Sequence, residues 1–190
     1  MTRPFTLLAS AMLLATTACD RDSEQPAAVN DDTVAQEDAA TANAADEAAG
    51  GAQQFVDAAA ASDLYEIESG KLASTKASDA GVKSFAQMLV ADHTKSSAEL
   101  KARAGELSPA LTPPTTLPAD KQAKIDALKA ASGADFDRLF LSQQVDAHSA
   151  ALDLLRGYSA GGDAAPLKAF ADKTAPVVQA HLDKARSLQK

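Results

Sequence analysis

The chain has 190 residues, 46% of them hydrophobic, with a formal net charge of −8, and it holds one cysteine, three histidines and no tryptophan. That length suits one compact domain with some additional chain, and a lone cysteine excludes an internal disulfide framework, so the fold has to rest on an apolar core. There is no basic patch or basic helix with interleaved aromatics, which argues against a nucleic-acid partner.

The N-terminal stretch "MTRPFTLLASAMLLATTAC" carries one positive charge, Arg3, followed by an apolar run and small residues. This is the layout of a secretory signal peptide over residues 1–18, and the apolar run is too short for a membrane-spanning helix. Cys19 stands where a bacterial lipobox places its lipidated cysteine, although Thr16 occupies a position usually held by Leu. Cleavage after Ala18 by an ordinary signal peptidase is the alternative. The expectation is a periplasmic, membrane-anchored lipoprotein, with inner or outer membrane undecided and the lipid anchor as the membrane contact. Residues 20 to 50 hold nine acidic residues, one Arg and no aromatics. Such a segment buries too little apolar surface to offset its ordering entropy, so residues 19–52 are expected to form an acidic, disordered tether. The tether carries the acidity; residues 51 to 190 have a net charge of only −1.

From Gln53 onward the chain is Ala-rich with apolar residues at helical spacing, which predicts four main helices over the domain 53–190. The first runs from about Gln53 to Lys76. The second starts near Asp79, a plausible N-cap, and ends at about Glu106. "LSPALTPPTTLPAD" breaks the pattern with four prolines, and a short helix follows to about Ala131. The third runs from about Ala134 to Tyr158 and the fourth from about Ala164 to Lys190, where Pro176 should introduce a kink. Short turns within each pair and a long Pro-rich connection between helices two and three give the element pattern of a four-helix bundle, the ferritin-like version with one crossover included. An up-down-up-down bundle is the alternative.

Walking each helix by threes and fours gives stripes that should face the core. The second carries Phe85, Leu89 and His93; the third Leu141, Val145 and His148; the fourth Phe170, Thr174, Val177 and His181. The first carries Glu66 between Ser62 and Ser69. Every main helix thus points one titratable group inward near its middle. Imidazole and carboxylate groups converging from separate helices can hold a transition-metal ion, so Glu66, His93, His148 and His181 are the candidate metal ligands. The bland alternative is a polar layer in which these groups satisfy one another and fix helix register, since unpaired burial would be costly.

The segments "EIESGKLAS", "VKSFAQMLVADHTKSSAEL", "FDRLFLSQQVDAH" and "APVVQAHLDKA" resemble the bacterial family of domain of unknown function 4142 over nearly all of residues 53 to 188. The resemblance implies an exported protein with a ferritin-like four-helix fold; it implies no activity. Phe140 departs from the Tyr of the family pattern. A di-iron oxidase would require Glu-x-x-His pairs, yet Val90, Val145 and Val178 precede the histidines by three. Asp92, Asp146 and Asp183 flank them and should point to other helix faces. Asp135 and Asp137 read as favourable charges in a first helical turn, and Tyr65 and Tyr158 as boundary residues. No catalytic residue is assigned. The expectation is a binding protein that takes one transition-metal ion, or else a cell-envelope interaction or stress protein whose polar core is structural, with its protein partner unspecified.

Overall fold

The structure is a computed structural model that describes residues 33–189, with side chains described from residue 51. The expected signal peptide, Cys19 and the first part of the expected tether lie outside the described residues. Within them the chain forms α1 (Thr33–Lys76), α2 (Ala80–Gly105), α3 (Ala119–Ala130), α4 (Gly133–Gly161) and α5 (Ala165–Leu188). None of these helices is long and apolar enough to cross a membrane. The first helix begins at Thr33, well before the expected start at about Gln53. The intervening stretch is rich in alanine, the residue with the highest helix propensity, and contains no proline.

The helix termini follow local chemistry. Asp79 caps α2 by accepting a hydrogen bond of 2.9 Å from the Val82 amide. Asp137 corrects the expectation of a first-turn surface charge. It is buried and accepts from the Ser78 and Asp79 amides at 3.0 and 2.9 Å, and from the Ser78 hydroxyl. One carboxylate of α4 thereby holds the turn that leads into α2. Asp135 stays exposed, paired with Arg138. Gly133 opens α4 at φ +58°, a backbone conformation that a side chain would disfavour.

The α1–α2 and α4–α5 hairpins pack so that α1 also meets α4 and α2 also meets α5. At one end Phe55 of α1 stacks on Tyr158 of α4 with ring centroids 3.9 Å apart. At the other, the Lys76 ammonium lies 5.4 Å from the Phe136 ring centroid. Hence α1 and α4 are antiparallel. Glu99 pairs with Lys173 at 2.8 Å, while Gly81 approaches Leu188 at the opposite end, so α2 and α5 are antiparallel too. It follows that α2 and α4 run parallel across the core, where Phe85 and Phe140 make an edge-on contact at 6.3 Å. The short α3 lies against α1 and α4.

Two apolar clusters fill the bundle. One gathers Phe55, Val56, Leu100, Leu155 and Phe170; the other gathers Val82, Phe85, Leu89, Phe136 and Phe140. Between them, all four long helices place polar side chains. The expected stripe of α5 needs one correction: Val177 is exposed and Val178 is buried. The core-facing path runs through Ala171, Thr174, Val178, His181 and Ala185, and Val177 falls one helical step, about 100°, to the side.

Candidate metal centre

The three histidines of the chain meet at the middle of the bundle, one each from α2, α4 and α5. His93 is 5% exposed, His148 1% and His181 2%, in a chain whose apolar clusters close the layer from both ends. Their ring centroids stand 5.7, 5.4 and 5.4 Å apart, a nearly equilateral triangle. One nitrogen from each ring lies within 4.8 Å of the other two.

The outer nitrogens explain the inner ones. His93 Nδ1 meets Asp63 Oδ1 at 2.8 Å, His181 Nε2 meets Asp92 Oδ2 at 3.0 Å, and His148 Nδ1 meets the Gln144 carbonyl oxygen at 2.9 Å. A carboxylate or carbonyl oxygen only accepts, so each of these ring nitrogens carries the proton and donates it. The opposite nitrogen of each neutral ring is then a bare lone pair. Those three atoms, His93 Nε2, His148 Nε2 and His181 Nδ1, are buried and make no hydrogen bond within the chain. Three inward lone pairs fixed by outward hydrogen bonds match the way proteins orient metal-ligating imidazoles.

Electrostatics separates the three rings. Burial lowers the pKa of His148 to about 3, with the neighbouring His93 adding to the effect. His181 is also lowered, mainly by burial, against the pull of Asp92. At His93 burial works in the same direction, but the hydrogen bond to Asp63 and the charge of Glu66 outweigh it and leave the pKa raised. At neutral pH the triangle therefore offers His148 and His181 as neutral donors, with His93 the ring most ready to hold a proton.

Glu66 departs from the expected ligand set. It is 1% exposed, but its carboxylate approaches His148 from behind, 3.9 Å from Nδ1, whereas the lone pair that faces the other rings is on Nε2. Neither of its oxygens has a hydrogen-bond partner within the chain. Burial raises its pKa to about 7, against the opposing effect of His93. The Gln144 amide, also fully buried, donates to the Ser69 hydroxyl at 3.2 Å, and Tyr65, expected at a boundary, is fully buried and donates to Gln143 Oε1 at 2.8 Å.

The orienting residues Asp63 and Asp92 were not singled out as site residues from sequence. Asp63 lies three residues before Glu66 on the same face of α1, a spacing that could have marked it. Asp92 does point to another face of α2 than His93, as expected, but that face abuts α5 and its histidine.

A helical bundle whose core holds a buried three-histidine cluster defines the class. The chain belongs to the family described as domain of unknown function (DUF4142), whose sequence model matches residues 33–188. No curated protein sequence matches it. Among solved structures the fold is similar to "CopM in the Cu(I)-bound form", with a TM-score of 0.60, 18% identity, and 72% of this chain and 93% of that chain covered. At that identity the likeness speaks to the fold.

Proposed function

We propose that this protein is an exported, lipid-anchored, ferritin-like bundle of the cell envelope that binds one monovalent copper ion through His93, His148 and His181. The observation that supports the reading is the convergence of three buried imidazole nitrogens, each left without a partner and each oriented by a hydrogen bond on the far side of its ring. Leaving a buried polar atom unpaired costs about 1–3 kcal/mol, so three in one place point to a ligand that supplies the missing interaction.

The donor set favours copper in its lower oxidation state. Imidazole suits several late transition metals. The inward donors are three imidazole nitrogens, neutral at His148 and His181 and neutral at His93 once it gives up any second proton to the metal. The nearby carboxylates Glu66, Asp63 and Asp92 face the outer nitrogens, so no hard oxygen donor of the kind divalent ions recruit points into the triangle. A monovalent, low-coordinate ion fits such a site, and its charge would be balanced by Asp63 and Asp92 on the outer nitrogens. The fold of CopM, known in a Cu(I)-bound form, is consistent with this choice. Bound copper would tie α2, α4 and α5 together; holding and releasing the ion is the chemistry proposed, with no reaction assigned.

A second reading has its own support. The Asp63–His93 hydrogen bond joins α1 to α2, and Asp92–His181 joins α2 to α5, so the layer fixes helix register by itself. A cell-envelope interaction protein with a structural polar core would need no more. That reading leaves the inward nitrogens unexplained.

Thermal unfolding of the chelated chain decides between them, with Cu(I) added back under reducing conditions and with Cys19→Ser to remove the competing thiol. A ligand at 100 times its dissociation constant adds about 2.7 kcal/mol, several degrees for a domain of this size. The wild-type triad should show that shift and His93→Ala should lose it. Equal melting with and without copper, for both proteins, would leave the histidines as architecture.

A further inference from the structure

On the outside of the bundle, α2 and α5 leave an open groove of about 530 Å³ lined by Met88, Asp92, Pro176, Val177, His181 and Lys184, among others. Met88 and Val177, 39% and 43% exposed, are the large hydrophobic residues most open to solvent among the described residues, and both lie here. The floor is His181, whose side chain is 3% exposed while that of its partner Asp92 is 43% exposed. One imidazole therefore has its Nδ1 in the buried triangle and its Nε2 at the base of a surface groove. His93, by contrast, borders a cavity of only about 20 Å³.

Met88 and Asp92 are four residues apart on α2, so they lie side by side on one face. A thioether is a soft donor with a preference for monovalent copper, and an adjacent carboxylate supplies negative charge. Lys184 is the groove's cation and is solvent-exposed. Pro176 has no backbone N–H, so α5 lacks one helical hydrogen bond shortly before His181 and is more easily deformed there. An apolar side chain exposed for no packing reason thus sits beside the one triad histidine that reaches the surface.

We propose that Met88 and Asp92 form the uptake site of the metal centre, receiving a soft monovalent metal ion from solvent and passing it inward through His181. The proposal rests on the copper reading given above. The step is ligand exchange: the Met88 sulfur releases the ion as His181 Nδ1 binds it. The ion keeps its charge, so no oxidant or reductant takes part. For this the Asp92–His181 hydrogen bond breaks, the His181 ring turns to bring the Nδ1 lone pair to the groove, and the bond re-forms when the ring swings back with the ion. The proton remains on Nε2 throughout. Met88 belongs to the route and is absent from the final ligand set.

The test is stopped-flow transfer of Cu(I) from a coloured Cu(I)-chelator complex to the full chain carrying Cys19→Ser, compared with Met88→Leu and Val177→Thr added to it. Met88→Leu keeps shape and apolarity but removes the sulfur. It should slow uptake about tenfold, the effect of about 1.4 kcal/mol on the barrier, while the equilibrium affinity stays within about twofold. Val177→Thr should behave like the parent. Uptake by Met88→Leu at the parent rate would overturn the proposal and leave the triad reading intact. Loss of affinity in Met88→Leu would instead make Met88 a permanent ligand, and equal slowing by Val177→Thr would reduce the groove to a docking surface for the chelator; either result also overturns it. No uptake by the parent protein would remove the copper reading itself.

Discussion

Glu66→Gln should make this protein's stability fall more steeply in mild acid. The carboxyl has an ordinary pKa of 4.5 and is raised to about 7 in the fold by burial. Between those values the folded state keeps a proton that the unfolded state has released. Glu66 thus contributes stability that is fully present below pH 4.5 and is lost as pH rises toward 7. The span of roughly 2.5 pKa units corresponds to about 3 kcal/mol at 1.36 kcal/mol per unit. His148 runs the other way: its pKa falls from 6.5 to about 3, so its contribution is present above pH 6.5 and is lost as pH drops through that window. In the wild type the two slopes oppose each other between pH 4.5 and 6.5, and the stability curve is flattened there. Glutamine does not titrate, so the variant should lose about 1.4 kcal/mol per pH unit on acidification from His148 alone, with His181 adding in the same sense. Urea unfolding of the two metal-free proteins at pH 4.5, 5.5, 6.5 and 7 measures this directly. The wild-type advantage over the variant should shrink by about 3 kcal/mol from pH 4.5 to 7. Parallel curves would refute the reasoning, because they would mean that Glu66 titrates as an ordinary exposed carboxyl.

Asp63→Ala removes the acceptor that orients His93, and loss of such an outer partner typically lowers metal affinity about 10–100-fold; chelator competition would read this, and an unchanged affinity would mean that the His93 ring needs no support. Gly70→Ala places a methyl 2.8 Å from Val90 Cγ2 and 3.0 Å from the Ala86 carbonyl oxygen, where α1 and α2 approach closely. Forcing that contact should cost about 1–3 kcal/mol in chemical unfolding, and a neutral result would show that the helices separate freely. Asp137→Ala leaves the Ser78 and Asp79 amides without their acceptor. It should destabilise the fold by about 1–3 kcal/mol without changing metal affinity.

Helical periodicity made much of this architecture legible. The turns around Asp79 and Ala164 fell close to the observed breaks because capping and chain reversal are local, and the three histidines lie inward because a stripe at 3.6-residue spacing marks the buried face. What failed was information that lives between helices. Glu66 lies on the inward stripe as expected, yet a stripe does not say whether a carboxylate reaches the near or the far nitrogen of a neighbouring ring. Asp92 does lie on another face of α2 than His93, as expected, but only the packing of α5 against α2 turns that face into the seat of His181. Asp137 reads as a helix-start charge until α4 is laid beside the α1–α2 turn. Val177 and Val178 are adjacent and equally apolar, so a step of three or four from Thr174 chooses between them, and the stripe took the wrong one. The early start of α1 has a simpler origin: its acidic composition argued for disorder, while its alanine content favours helix.

The central claim is a three-nitrogen copper centre, and X-ray absorption of the chain loaded with one equivalent of Cu(I), in the Cys19→Ser background, tests it most directly. The account predicts a low-coordinate shell of nitrogen donors with the outer-shell signature of imidazole rings, abolished in His148→Ala. A shell containing sulfur, a shell rich in oxygen, or copper that washes away from the wild-type protein would contradict it.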